Sequence, residues 1–382
     1  MRYLLEGYYG MRNVGDDILL YVTIAEMAKL DPDAEFTVIS DRHENLPPFA
    51  NVKVISGGRL KTLRQLLHHD VWLFGGGGLL QDPGVRAVQT LRRHQRIARL
   101  AKWIKRSIVL VGIGVGPLET PEGREAARKL LGAADFVTVR DKGSADLAHE
   151  LMPECNLTVT ADLSFLFPKY APAPPKGLRD GKTRTLGISL LPFSGALDKD
   201  PQIDRRVVAV IAEALNHIMK EHPEWQVRLF EIFCGSESYG DKTVLQPLRD
   251  QLLFKQRVSF RAYDGDFFSL HKDLLQCSAF YGMRLHSCVL SWLGGVPCLM
   301  TDYHMKSSAI AKSMGIRNEA ILPVGDLSSS SILIERLERL IHAPEAFLPT
   351  VPISELTSSA ANNFKSMRGW LRRADTRMVT NA

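Results

Sequence analysis

The sequence predicts an α/β fold of two doubly wound domains facing across a cleft. Three observations lead there. Short apolar runs alternate with amphipathic stretches, the pattern of β-α units around a parallel sheet. Near the middle, PKYAPAPPKGLRDGKTR (168–184) carries four prolines and no periodicity, which marks a boundary. Beyond it the alternation restarts and continues almost to the end of the chain.

In order, strands are expected at Tyr3–Glu6, Glu35–Ile39, Val52–Ile55, Val71–Phe74, Ile108–Gly112, Phe136–Val139 and Leu157–Thr160. Helices are expected between several of these, as at Asp16–Lys29 and Pro121–Leu131. After the boundary, strands are expected at Arg184–Leu190, Val227–Ile232, Val258–Arg261, Ala279–Tyr281 and Val296–Met300, with helices at Pro201–Lys220, Phe267–Gln276 and Leu285–Leu293. The expected organisation is an N-terminal domain over 1–167, a linker over 168–184 and a C-terminal domain over 185–350. Residues 351–382 would hold an amphipathic helix (Ala360–Arg373) and a basic tail. In such sheets ligands bind beyond the carboxyl ends of the strands.

The 382 residues are 45% hydrophobic and 24% charged, which excludes a disordered chain, a collagen-like repeat and a small disulfide scaffold. Five cysteines, odd in number and without C-x-x-C spacing, argue against a disulfide framework or a zinc site and fit a reduced, cytosolic setting. The N-terminus meets glycine and charge before a secretory apolar core forms, and the longest apolar stretches fall far short of about 20 residues. The net charge of +6 is uneven: residues 61–106 carry +8 and residues 364–382 carry +4, leaving a mildly acidic remainder.

Four loops fall just after expected strands. In GYYGMRNVGDD (Gly7–Asp17), Asn13, Gly15 and Asp16 precede a helical pattern, so Asp16 or Asp17 serves either as a plain helix cap or as a cleft carboxylate able to accept a hydroxyl proton. In LFGGGGLLQD, Gly76, Gly77 and Gly78 let backbone approach a ligand and aim N–H groups at an anion, or simply make a tight turn; no G-K-[ST] follows, so this is not a Walker loop. GIGVGPL (Gly112–Leu118) is a weaker signal of the same kind. YGMRLHS (Tyr281–Ser287) places Arg284 and His286 at the start of a helix, where backbone donors and the helix dipole add to their charge and favour phosphate or carboxylate. Arg140, in TVRDKGSADL, occupies a matching position in the first domain, and an ion pair with Asp141 or Asp146 is its plain structural reading.

Taken in order, G-x-Y-G-x-x-N-x-G-D-[DE], G-G-G-x-L, G-[IV]-G-x-G-P-L, V-R-D-x-x-S, G-M-R-L-H, G-x-P and Y-x-x-K resemble the polysaccharide pyruvyltransferase family over residues 1 to about 315. The resemblance implies two Rossmann-like domains in the GT-B arrangement. It implies transfer from phosphoenolpyruvate to a sugar of a polysaccharide or its precursor, free or lipid-linked, giving a pyruvate ketal and phosphate. It further implies His286 as general acid, Arg284 and Arg140 as anion clamps, Lys306 of YHMK as a phosphate contact, and Asp16 as the group that orients or deprotonates the acceptor hydroxyl. Asp17 stands where the family pattern has Glu. The donor brings a carboxylate and a phosphate into one small site, which calls for several fixed cations. Acid and base belong on opposite sides of the reacting carbon. This chemistry needs no cofactor and no metal, and the sequence offers no ligand cluster demanding one.

VRAVQTLRRHQRIARLAKWIKR (85–106) contains no acid. As a helix it packs Ile97, Leu100, Ala101 and Ile104 inward and sets Arg92, Arg96, Arg99, Lys102 and Arg106 opposite, with Trp103 among them. A run of charge is ordinarily a solvated face, but an aromatic among cations suits the surface of an anionic bilayer, and so peripheral association with the inner face of the cell membrane. Two other readings compete: a GT-B glycosyltransferase with a nucleotide-sugar donor, and a non-catalytic nucleic-acid-binding protein. The R-x-H pair with Arg140 suits a small dianionic donor better than a nucleotide, and no nucleic-acid-binding motif accompanies the basic run.

Overall fold

The computed structural model describes residues 1–40, 51–171, 184–194, 200, 202–235, 239–303 and 305–380. By its internal contacts the chain divides into two compact units. The first comprises residues 1–11, 16–167 and 354–382; the second comprises 12–15 and 168–353. Most of the proline-rich stretch expected as a linker, 172–183, lies outside the described residues.

The first unit runs β1 (Arg2–Leu5), α1 (Val14–Leu30), β2 (Glu35–Ile39), β3 (Val52–Ile55), α2 (Arg59–His68), β4 (Val71–Gly75), α3 (Val85–Trp103), β5 (Ser107–Ile113), α4 (Pro121–Ala133), β6 (Phe136–Val139), α5 (Lys142–Leu151) and β7 (Thr158–Val159). The second runs β8 (Arg184–Ser189), α6 (Gln202–Glu221), β9 (Trp225–Phe230), α7 (Lys242–Gln251), β10 (Val258–Arg261), α8 (Phe267–Leu275), β11 (Ala279–Gly282), α9 (Leu285–Leu293), β12 (Cys298–Asp302), α10 (Met305–Ser313), β13 (Ile321–Pro323) and α11 (Ser330–His342). A final helix, α12 (Ile353–Thr380), returns to the first unit.

Both sheets are parallel, with strand orders β3-β2-β1-β4-β5-β6-β7 and β10-β9-β8-β11-β12-β13. The central strands are largely apolar, as a sheet covered on both faces requires, and β4 is buried at all five positions. In each sheet the strand order reverses once, between β1 and β4 and between β8 and β11. Beside those strand ends a doubly wound sheet has room for a ligand.

The helix expected at 360–373 is longer, and it docks through one asparagine. Asn363 is fully buried; its Nδ2 donates to the Ala161 carbonyl at 2.9 Å, and its Oδ1 accepts from Thr160 Oγ1 at 2.7 Å. Trp370 packs against Phe136, ring centroids 6.3 Å apart. These bonds explain why a segment so late in the chain belongs to the first unit. Among the described residues no helix is long and apolar enough to cross a membrane.

Candidate active site

In the first unit, the β1 and β4 loops meet at the strand-order reversal. Tyr9 is buried and its hydroxyl donates to the Gly75 carbonyl at 2.7 Å while accepting from the Gly75 N–H at 3.2 Å, which ties the two loops together. Burial pushes the Tyr9 hydroxyl well above its usual range, and the charge of Asp16 adds to the push. Asp17, fully buried in the first turn of α1, accepts the Gly10 N–H at 3.0 Å. Neither aspartate therefore plays the expected cap. Asn13 does: its Oδ1 accepts the Gly15 N–H at 3.1 Å, the bond a capping residue makes to the second residue of a helix.

Asp16 stands beside the glycine run, its Oδ1 3.6 Å from where a Cβ on Gly77 would lie. Gly76 and Gly77 have φ of 70° and 79°, a region where side chains are strained, so the β4 turn depends on them. Gly78 follows, and the turn is bonded on to the third loop, because Gly114 N–H donates to the Gly77 carbonyl at 2.8 Å. Arg140 follows β6 and lies flat on Gly114: a Cβ there would sit 2.9 Å from its Nε. Its Nη1 donates to Asp162 Oδ2 at 3.0 Å, and its Nε lies 3.5 Å from Asp141. Asp141 also caps α5 by accepting the Ser144 N–H. The partner is thus chiefly Asp162, not Asp146, and with 3% of its side chain exposed Arg140 is a buried ion pair rather than an open clamp.

In the second unit, the R-L-H loop follows β11 at the other strand-order reversal. Arg284 precedes α9, and its Nε donates to Asp241 Oδ1 at 2.8 Å. Asp241 is fully buried and its other oxygen accepts the N–H groups of Ile232 and Phe233 at 3.0 and 2.9 Å. Burial pushes that carboxyl above its ordinary range, and Arg284 with the two N–H groups opposes the push. Arg284 also lies over the Phe233 ring, 5.1 Å from its centroid, and keeps 18% of its side chain exposed.

Residues 12–15 join this unit by hydrogen bonds. Cys234 N–H donates to the Arg12 carbonyl and Val14 N–H to the Ile232 carbonyl, both at 3.0 Å. The His286 ring then lies directly on Gly15: a Cβ at that position would sit 1.9 Å from His286 Nδ1. Four residues named from two distant motifs, Asn13, Gly15, Arg284 and His286, are therefore gathered in one place. In this unit a cavity of about 600 Å³ is lined by Arg12, Glu231, Cys234, Lys242 and Tyr263 among others. Burial, then the charge of Asp241, raises the Glu231 carboxyl, and burial with Glu231 drives the Cys234 thiol up to about 12, so this sulfur stays protonated and unreactive.

Lys306 falls in α10, with its side chain outside the described residues. Reading the sequence alone missed Asp162, Asp241 and Arg12. The two aspartates lie 22 and 43 residues from the arginines they bind, a distance at which no local pattern connects them.

The profile of the polysaccharide pyruvyl transferase family matches residues 13–305. This chain belongs to that family. The match begins at Asn13 and takes in Gly15, Asp16, the glycine run, Arg140, Asp241, Arg284 and His286, and ends one residue before Lys306. Among proteins similar to this pyruvyl transferase family member is the amylovoran biosynthesis protein AmsJ of Erwinia amylovora, 24% identical over 258 residues. That stretch is 63% of this chain and 59% of the relative's length. Among solved structures, the UDP-GlcNAc 2-epimerase of Neisseria meningitidis bound to UDP-GlcNAc superposes with a TM-score of 0.61 at 12% identity, covering 98% of this chain and 100% of that one. Anabaena Alr3699/HepE in complex with UDP and glucose gives a TM-score of 0.59 at 14% identity, covering 99% and 100%. At such identities the likeness concerns fold: two Rossmann-like domains of the GT-B class.

Proposed function

We propose that this protein transfers a pyruvyl group from phosphoenolpyruvate to a sugar of a polysaccharide or its precursor, closing a ketal over two hydroxyls and releasing phosphate. The observation that carries the reading is the seating of His286 on Gly15 beside Arg284, inside a chain of the pyruvyl transferase family. Arg284, with His286 and Lys306, binds the donor's carboxylate and phosphate; Asp241 fixes its Nε and Nη2, and 18% of the side chain remains exposed. Arg140 contributes positive charge from beneath the Gly114 loop, largely offset by Asp162.

The proton reaches the donor methylene from His286, whose Nδ1 edge lies against Gly15. One acceptor hydroxyl attacks the adjacent carbon as Asp16 takes its proton. Phosphate leaves with the bond it held, and the second hydroxyl adds to the same carbon to close the ring. Of the two hydroxyl protons, one replaces that delivered to the methyl group and the other departs with phosphate. The glycine run brings backbone close to the ligands at Gly77 and Gly78, while the Gly15 and Gly76 N–H groups hold the loops in shape by bonding Asn13 Oδ1 and the Val111 carbonyl.

The test is transfer of labelled pyruvyl from phosphoenolpyruvate into saccharide of an extract from a polysaccharide-producing cell. Acid-labile label should appear, and fall at least about 100-fold in His286→Ala, the low end of what a general acid contributes. Arg284→Lys should raise the donor KM while leaving the charge in place. Label transfer that survives both substitutions removes the assigned site, and consumption of a nucleotide-sugar in its place selects the glycosyltransferase reading.

We further propose that α3 lies on an anionic membrane. Trp103 is 80% exposed at its end, with Arg92, Arg96 and Arg99 exposed along it, and neighbouring α2 exposes Leu60 and Leu67 one above the other. The helix stops at Trp103, so Arg106 lies beyond it and donates to the Leu67 carbonyl, while Lys102 pairs with Asp135. Arg92, Arg96 and Arg99 share their groove with Glu122 and Glu125 of α4, which reduces the net charge offered. Flotation with anionic but not neutral vesicles is expected, and its loss in Trp103→Ala with Arg96→Gln; equal recovery with both lipids removes the proposal.

A further inference from the structure

Three histidines converge on one carboxylate in the second unit, far along the chain from the R-L-H loop. His222 Nε2 lies 2.9 Å from Glu338 Oε2 and 3.1 Å from Oε1. His342 Nε2 lies 3.3 Å from the same Oε2, and His217 Nε2 lies 3.9 Å from Oε1. The ligand atoms of His222, Glu338 and His342 all fall within 4.8 Å of one another. From these groups we propose a binding site for a divalent first-row transition ion, Zn²⁺ in the first instance, clamping α6 to α11.

The sequence pattern did not suggest it, because the ligands come from two helices more than a hundred residues apart. Local geometry then makes it natural. Glu338 and His342 stand at i and i+4 on α11, on one face one turn apart, the spacing by which a single helix supplies two ligands. His217 lies in the last turns of α6, and His222 follows its end, with its own N–H donating to the Ile218 carbonyl at 2.9 Å. Arg257 pins the chain there, bonding the carbonyls of Met219, His222, Pro223 and Trp225. The backbone that carries His222 is thus fixed before any ion arrives, which lowers the ordering cost of binding.

The spacing fits such an ion. Two imidazoles on one tetrahedral zinc, at about 2.0–2.1 Å per Zn–N bond, hold their ring centroids about 5 Å apart. The His222 and His342 rings are 5.5 Å apart, inclined at 61°. Ligand atoms around such an ion stand about 3.3 Å from each other, against the 2.9 and 3.3 Å measured from Glu338 Oε2. Two or three imidazole nitrogens with one carboxylate oxygen are donors that favour zinc, cobalt, nickel or copper over magnesium or calcium. The His222 carboxylate bond holds that ring in place, and His217 completes a set of four or leaves the position to water.

The site stands apart from the donor loop. His222 lies just ahead of β9, at the edge where strands of this sheet begin, whereas Arg284 and His286 follow the end of β11. The ion's role is therefore to fasten two helices on the core, not to touch substrate.

The test uses the full chain stripped with chelator and titrated with ZnCl₂, with Co²⁺ as a spectroscopic probe. One ion per chain should bind, with the visible absorption of tetrahedral cobalt, and Zn²⁺ should raise the melting temperature. His342 is 67% exposed, so His342→Ala leaves folding intact; it should weaken zinc binding at least about tenfold, and Glu338→Gln should do the same. His149→Ala, on α5 of the first unit, should bind as wild type. Absence of stoichiometric uptake, or uptake unchanged in both His342→Ala and Glu338→Gln, overturns the site.

Discussion

Arg140 and Arg284 each stand between a parallel strand and the helix after it, Arg140 after β6 beside the edge of the first sheet and Arg284 after β11 at the strand-order reversal of the second, and each is bonded to a buried aspartate. Their surroundings part them. Arg140 and Asp162 expose 3% and 1% of their side chains, and Asp162 spends its second oxygen on Ser164. Arg284 keeps 18% exposed, lies against an aromatic ring and has a histidine two residues on, seated on a glycine. One repeated device, an arginine held by an acid, yields a closed pair in one unit and a half-open pair in the other. The distinction rests on burial and on what surrounds the guanidinium, not on residue type.

Substituting each arginine separates the two roles most sharply. Arg140→Met strands Asp162 in the interior and should cost about 3–5 kcal/mol of stability, the usual consequence of breaking a buried pair. Arg284→Met should cost less, about 1–3 kcal/mol, because water reaches that pair and two N–H groups still hold Asp241. For transfer activity per folded molecule the ranking should invert. Denaturant melts with activity assays on both variants decide it, and a larger stability loss for Arg284→Met would break the comparison.

Much of this was legible in the sequence. The alternation placed Val52–Ile55 and Phe136–Val139 as strands with the bounds they have, because each is a short run rich in β-branched and aromatic residues. The R-L-H and N-x-G-D loops stood out because glycine and charge cluster after apolar runs. What escaped was pairing across distance: Asp162 and Asp241, the return of α12 through Asn363, and the attachment of residues 12–15 to the second unit. None has a local period to betray it. Asp16 and Asp17 show the same limit on a small scale, since the capping role expected of them belongs to Asn13, three residues ahead of Asp16.

Acid separates the units by a second route. Burial lowers His271, on α8 of the second unit, from its ordinary 6.5 to about 4. The unfolded chain accepts that proton between those values and the folded unit does not, so stability rises with pH across the window. It is lost as pH falls from 6.5 toward 4, by about 3 kcal/mol in all. In the first unit the buried Glu6 is pushed up by desolvation but pulled further down by His94 and Arg93, to a net position below its ordinary 4.5. Its contribution is present above 4.5 and lost only as pH drops through that lower value. Hydrogen exchange at pH 5 should therefore show the second unit loosened first. His271→Gln should flatten the response, and simultaneous loss of protection in both units would contradict it.

The smallest and most diagnostic effect comes from the glycines under the two basic groups. At Gly114 an added methyl meets the guanidinium of Arg140 at 2.9–3.0 Å, and at Gly15 it meets the His286 ring at 1.9 Å. Gly114→Ala should cost about 1–3 kcal/mol, the range for overpacking, and Gly15→Ala less, because the His286 ring can move aside. Their consequences should differ in kind. The Gly114→Ala methyl presses on a side chain whose pairing is structural, so activity should follow the folded fraction. The Gly15→Ala methyl cannot share space with an imidazole held at its present position, so the ring must swing away while the rest of the second unit keeps its packing. Turnover should then collapse with little change in melting temperature. A Gly15→Ala protein as active as wild type would mean that the ring's seat is not what places the acid, and that the half-open pair at Arg284 does its work without a neighbour.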